Sequence, residues 1–164
     1  MRIFSMFLTL LFVVGAGAAT AQEPVGNLAQ VMRAILFPNS NLLYDVQSGD
    51  PEEMGKSDGG TSVSSTFSGI YKGWMVVDQA AIALAEVEPL ITLEGRLCEN
   101  GKPVPVARED FKKWAAQLTQ VGKDVLVASE KKDRDGVIEL TNRLAGVCED
   151  CHIKYRMYED RCKQ

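Results

Sequence analysis

Apolar residues recur along three stretches of the chain at alternating spacings of four and three. The first seam runs Val63, Phe67, Ile70, Trp74, Val77, Ala81, Leu84 and Ile91, interrupted only by Glu88. The second runs Phe111, Trp114, Leu118, Val121, Val125 and Ala128, and the third Val137, Leu140, Leu144, Val147, Cys151, Tyr155 and Tyr158. This mixed spacing keeps side chains on one face of an α-helix. Helices in bundles pack through such seams. No stretch alternates with a period of two, so strands are not predicted. Trp74 and Trp114 lie on seams and read as core, as does Tyr155.

A fourth, earlier helix is less regular. Leu28, Val31, Met32, Ile35, Leu42, Leu43 and Val46 share a face, but Pro38 lies between them. Proline removes a hydrogen bond to the carbonyl of residue 34 and clashes with it, so a kink or break is expected there. Residues 47–62 are rich in Gly, Ser and Asp and read as a loop, as do residues 94–106, with two glycines and two prolines. Residues 131–135 form a short charged turn, which implies antiparallel neighbours. The expected fold is all-α: an antiparallel four-helix bundle, up-down-up-down. An irregular all-α domain is the rival architecture.

The first residues change the picture of where the chain works. Arg2, the apolar run from Ile3 to Val14 and the Ala19-Thr20-Ala21 end have the order of a secretory signal peptide cleaved after Ala21. The apolar run is too short to span a bilayer, which takes about 20 residues, and no later stretch is long and apolar enough. Residues 22–164 then form one domain, exported to the periplasm, with no membrane span after cleavage. Losing Arg2 leaves 17 basic against 22 acidic residues, a net charge of −5. No basic patch stands out, which argues against nucleic acid as a partner.

Two of the four cysteines lie in Cys148-Glu149-Asp150-Cys151-His152. A Cys-x-x-Cys-His run is the attachment motif of covalent haem. Two thiols add across the two vinyl groups, and the histidine takes the iron from one side. On a helix, positions 148, 151 and 152 point to one side. Three rival readings have less behind them. Structural zinc needs four tetrahedral ligands, whereas His152 is the only histidine in the chain. A thioredoxin-like dithiol needs a strand–helix unit. Unrelated disulfides would leave the motif and the export signal a coincidence.

The segment Cys148-Glu149-Asp150-Cys151-His152-Ile153-Lys154-Tyr155-Arg156, closing a four-helix pattern, resembles the class II c-type cytochromes. These are the cytochrome c-prime family and its low-spin relatives. The segment from Gly95 to Pro105 looks like a subgroup of them, and Pro38 departs from the smooth first helix of cytochrome c-prime proper. The resemblance implies one haem c, no enzymatic activity and redox proteins as partners. Relatives often pair through the first two helices, but Pro38 lies where such an interface would form, so monomer and homodimer both stay open. In low-spin relatives a methionine at the place of Met32 is the sixth iron ligand. Met54 lies in a polar loop, Met75 is off its seam, and Met157 follows His152 on the same helix. Helix lengths at 1.5 Å per residue put Met32 and His152 at similar depths. With Met32 bound, the protein is expected to carry single electrons. With Met32 only packing over a five-coordinate iron, it is expected to bind gases such as NO and CO. An arginine four residues after the histidine lies beside the proximal haem face in the family, which is one reading of Arg156; an exposed, solvated side chain is the other. The up-down order also brings the 94–106 loop to the end of the last helix, which predicts a Cys98–Cys162 disulfide.

Overall fold

The computed structural model describes residues 22–53, 71–156 and 161–162. The expected signal peptide, the seam positions Val63, Phe67, Ile70 and Tyr158, and Met54 and Met157 lie outside the described residues. Regular structure is helical throughout them: α1 (Leu28–Val31), a π turn (Met32–Leu36), α2 (Phe37–Ser48), a 3-10 turn (Pro51–Glu53), α3 (Trp74–Ala85), α4 (Glu88–Ile91), α5 (Glu109–Glu130) and α6 (Arg134–Tyr155). Among the described residues there is no strand, only an isolated bridge between Leu97 and Pro103. The chain is all-α. No described helix is long and apolar enough to cross a membrane.

Two elements depart from the sequence reading, each at a proline. The helix through Pro38 does not break. Leu36 and Phe37 keep right-handed helical dihedrals (φ −72°, ψ −46°; φ −57°, ψ −53°), and the Phe37 N–H donates to the carbonyl of Met32, five residues back. The turn before the proline has widened by one residue, which is how the continuous helix takes in a ring that would otherwise meet the carbonyl four residues back. The second departure is the end of α3. The seam to Ile91 is not one helix: α3 stops at Ala85 and a separate turn, α4, follows. Pro89 explains the stop. Its ring would meet the carbonyl of Ala85, four residues earlier, and it has no N–H to give. Val87 and Ile91 stay buried, so the apolar seam outlasts the helix.

The helix starts follow local chemistry. Asn27 caps α1: its side chain accepts from the Gln30 N–H at 2.9 Å, and Gln30 Oε1 accepts from the Asn27 N–H at 2.8 Å. Glu109 and Asp110 place negative charge at the N-terminus of α5, where the helix dipole favours it. Lys132, at φ +56°, turns the chain between α5 and α6, and Asp133 caps α6 by accepting from the Gly136 N–H.

The long helices pack in a ring: α2 against α3, α3 against α5, α5 against α6, and α6 back on α2. Leu43, Leu84, Val121 and Leu144 are wholly buried between them. Each such side chain contributes roughly 1.5–3 kcal/mol over an exposed one. α3 and α5 approach closely at Gly122, where a Cβ would lie 2.6 Å from the Ala85 nitrogen. Contacts between α2 and α6 extend from the start of α6 to the motif. Arg134 donates to the Val46 carbonyl and Gln47 to Thr141 Oγ1, while the earlier Tyr44 lies by the later Cys148.

Candidate functional site

Where α1, the π turn and α2 meet α6, the packing leaves a cleft of about 570 Å³. That is within the range of small-molecule and cofactor sites, about 300–1,000 Å³. Its walls carry apolar side chains from several elements, among them Leu28, Leu36, Phe111, Leu118 and Leu144. A smaller cavity of about 40 Å³ shares part of this wall and is closed by Ile91, Trp114 and Val147.

Cys148, Cys151 and His152 all line both spaces, and so does Met32. The three motif residues come from the last turns of α6, where the i, i+3, i+4 spacing puts them on one side. Met32 comes from a different element, at the start of the π turn, and is half-buried. Burial pushes the Cys148 thiol up, and it pushes Cys151 to about 12, helped by the neighbouring Cys148 and Asp110. Both are therefore protonated thiols at neutral pH. Burial, with the charge of Arg156 adding to it, holds His152 below its usual value. Its imidazole is neutral at neutral pH, the form with a lone pair for a metal. Arg156 caps α6, is exposed, and reaches the rim of the cleft. Among the described residues no three His, Cys, Asp or Glu side chains converge as a metal site of their own.

Cys98 and Cys162 are joined in a disulfide, with Cα atoms 6.4 Å apart. It ties the loop before α5 to the chain after α6, and both cysteines are buried against the cleft. The same loop is pinned by Arg96, which is 3% exposed. Arg96 donates to the carbonyls of Leu90, Val25 and Gly26, and Leu97 accepts from the Leu28 N–H at 2.8 Å. The segment before α1 is thereby held to the loop.

Behind the motif, Tyr155 is buried, with Phe111 and Trp114 packed edge-on at 5.4 and 5.9 Å. Its hydroxyl donates to Asp110 Oδ1 at 2.6 Å. Asp110 also accepts from Arg108 and Lys154, so the end of α6 is fixed to the start of α5. Trp74 and Trp114 are half-buried against the core.

The cleft also takes residues that periodicity and motif did not single out: Tyr44, Glu99 and Arg161. Tyr44 is pushed up to about 12 by burial and then by the neighbouring Cys148. The signal for the other two was adjacency, since Glu99 follows Cys98 and Arg161 precedes Cys162. Comparison with known protein families, with curated proteins and with solved structures finds no match for this chain.

Proposed function

We infer that the chain is a periplasmic monohaem c-type cytochrome of class II, a non-enzymatic carrier of single electrons. Its helices are read as an antiparallel up-down-up-down bundle around one haem c. One observation carries the reading: both thiols and the imidazole of the Cys-x-x-Cys-His run share an apolar cleft with Met32. The donor set fits the group. A porphyrin brings four nitrogens to its iron, so the protein need add only axial ligands, and no cluster of protein donors is called for. The cleft is of cofactor size and its walls suit a flat apolar ring.

Haem iron supplies a one-electron change between ferric and ferrous states. The chain supplies the rest. Cys148 and Cys151 would hold the ring edge by thioethers. His152 would offer a neutral nitrogen from α6, and Met32 a thioether sulfur, a soft ligand that raises the potential. Leu28, Leu36 and Leu118 line the same cleft and would exclude water from the bound group.

The test is optical. The purified holoprotein is expected to give a pyridine haemochrome of the c type and a sharp six-coordinate ferrous spectrum that CO barely alters. Met32→Ala is expected to open the sixth position and bind CO at once. If that variant keeps the parent spectrum, Met32 is not the ligand. If the parent itself is high-spin and takes up CO, the chain is a gas-binding protein.

A further inference from the structure

The charged side chains of the cleft collect at one end. Arg33, on the π turn, and Arg161, beside the disulfide residue Cys162, both reach Glu99, beside Cys98. Arg33 Nη1 and Nη2 lie 3.3 and 3.4 Å from Glu99 Oε1, and Arg161 Nη1 donates to Glu99 Oε2. All three side chains line the cleft, and Arg156 joins them there. Two guanidiniums flank the one carboxylate of Glu99, and Arg156 lines the same cleft. Leu144 and Cys148 line the cleft from earlier turns of α6, and Tyr44 lies by Cys148. The Tyr155 carbonyl, near the end of α6, instead accepts from the Cys162 N–H, beside Arg161. Along α6, Cys148 lies eight residues before Arg156, about 12 Å at 1.5 Å per residue.

Haem is polarised in the same sense. Its vinyl groups occupy one edge and its two carboxylates the opposite one. Resting on the cofactor reading above, which joins the vinyl edge to Cys148 and Cys151, we propose that Arg33 and Arg161 are the receptor for the haem carboxylates. Glu99 is a positioning residue that holds both guanidiniums at the cleft. The chemistry suits the task, because a planar guanidinium pairs with a carboxylate through two parallel hydrogen bonds. A guanidinium has five N–H donors, and Glu99 engages two nitrogens of Arg33. The two halves of the clamp are carried differently: Arg33 rides one residue after Met32, and Arg161 rides on the disulfide. The Cys98–Cys162 bond therefore holds Arg161 beside Glu99, and Glu99 reaches across to Arg33.

The experiment compares the haem-loaded parent with R33Q, R161Q and E99Q. Three readouts are taken: haem attachment by mass, the propionate-bending bands in resonance Raman spectra, and the ferric/ferrous equilibrium. The bands are expected to shift in both arginine variants. The equilibrium should move about three- to tenfold toward ferric in R33Q and R161Q, since a cation near the haem favours the ferrous state. It should move toward ferrous in E99Q. Opposite signs from the two kinds of substitution separate a charge clamp from a loss of packing. R33K keeps the charge but not the fork, so it should restore the equilibrium and leave the bands shifted. If haem is attached and the bands of both arginine variants match the parent, the clamp is overturned and the haem reading stands. A parent chain without covalent haem overturns both.

Discussion

Asp110 shows how far the surroundings of the site depend on single residues. Its carboxylate accepts from Arg108 at 3.2 Å, from the Tyr155 hydroxyl at 2.6 Å, from Lys154, and from the Phe111 N–H. The hydrogen bond from Arg108, then those from Lys154 and Tyr155, hold it well below the usual carboxylate range. A depressed folded value means that the unfolded chain binds the proton more readily. The contribution is thus complete above the unfolded value, about 3.9, and fades as pH falls through the folded one. Asp110→Asn should lower stability at neutral pH and flatten the acid limb below about pH 4. Urea midpoints measured down to about pH 2 check this, and an acid limb identical to the parent's would rule Asp110 out as its source. The residues of the site were unevenly legible in the sequence. Cys148, Cys151 and His152 declare themselves by spacing, because helix geometry alone puts them on one side. Glu99 and Arg161 are far apart in sequence, and the disulfide together with the hydrogen bond from Asn100 to the Arg161 carbonyl brings them together. Tyr44 carries no spacing signal at all, since its place by Cys148 is set by packing of α2 on α6.

At the scale of elements, two glycines separate intrinsic propensity from packing. In Gly122, on α5, an added Cβ would come within 2.6 Å of the Ala85 nitrogen and 2.9 Å of the Ala81 carbonyl oxygen. Alanine gains about 0.8–1.0 kcal/mol of helix propensity over glycine, while overpacking costs about 1–3 kcal/mol. The clash is backbone against Cβ, so no side chain can swing away and packing wins. Gly122→Ala should destabilise the protein by about 1–2 kcal/mol in urea unfolding. Gly146, on α6, has nothing within 4 Å of its Cβ position, so Gly146→Ala should stabilise by up to about 1 kcal/mol. A loss at Gly146 matching the loss at Gly122 would show that contact does not set the two apart, since nothing lies near the Gly146 position. The seams of α5 and α6 were plain in the sequence, because a single face stays buried along each. The break after Ala85 was hidden by apolar residues that continue past it at the same spacing. Pro89 was the true signal. The π turn was hidden for a similar reason, as a proline predicts trouble in a helix without saying how the turn absorbs it.

For the molecule as a whole, the all-α class was readable because no stretch alternates with period two. Met32 and the motif could be placed at one depth from helix lengths, but the rest of the cleft wall, Tyr44 and Glu99 included, could not, since it depends on how several packed elements meet. The Cys98–Cys162 bond closes a loop of 64 residues and should contribute roughly 2–4 kcal/mol. Cys98→Ala with Cys162→Ala should lower stability by that amount in chemical unfolding, and an unchanged midpoint would show that the bond constrains nothing in the unfolded chain. The widened turn at Met32–Leu36 has a further consequence, best put in terms of deletions. The π turn holds one residue more than an α turn, so the extra residue is absorbed within that one turn. A chain lacking Ala34 would close it as an ordinary α turn and stay helical from end to end. The Asn27 cap, the Leu28 bond to Leu97 and Met32 would keep their faces. The same deletion in the regular turns of α2 would instead swing everything before it by about 100° around the helix axis. The π turn thus marks where this helix can lose a residue without turning the site.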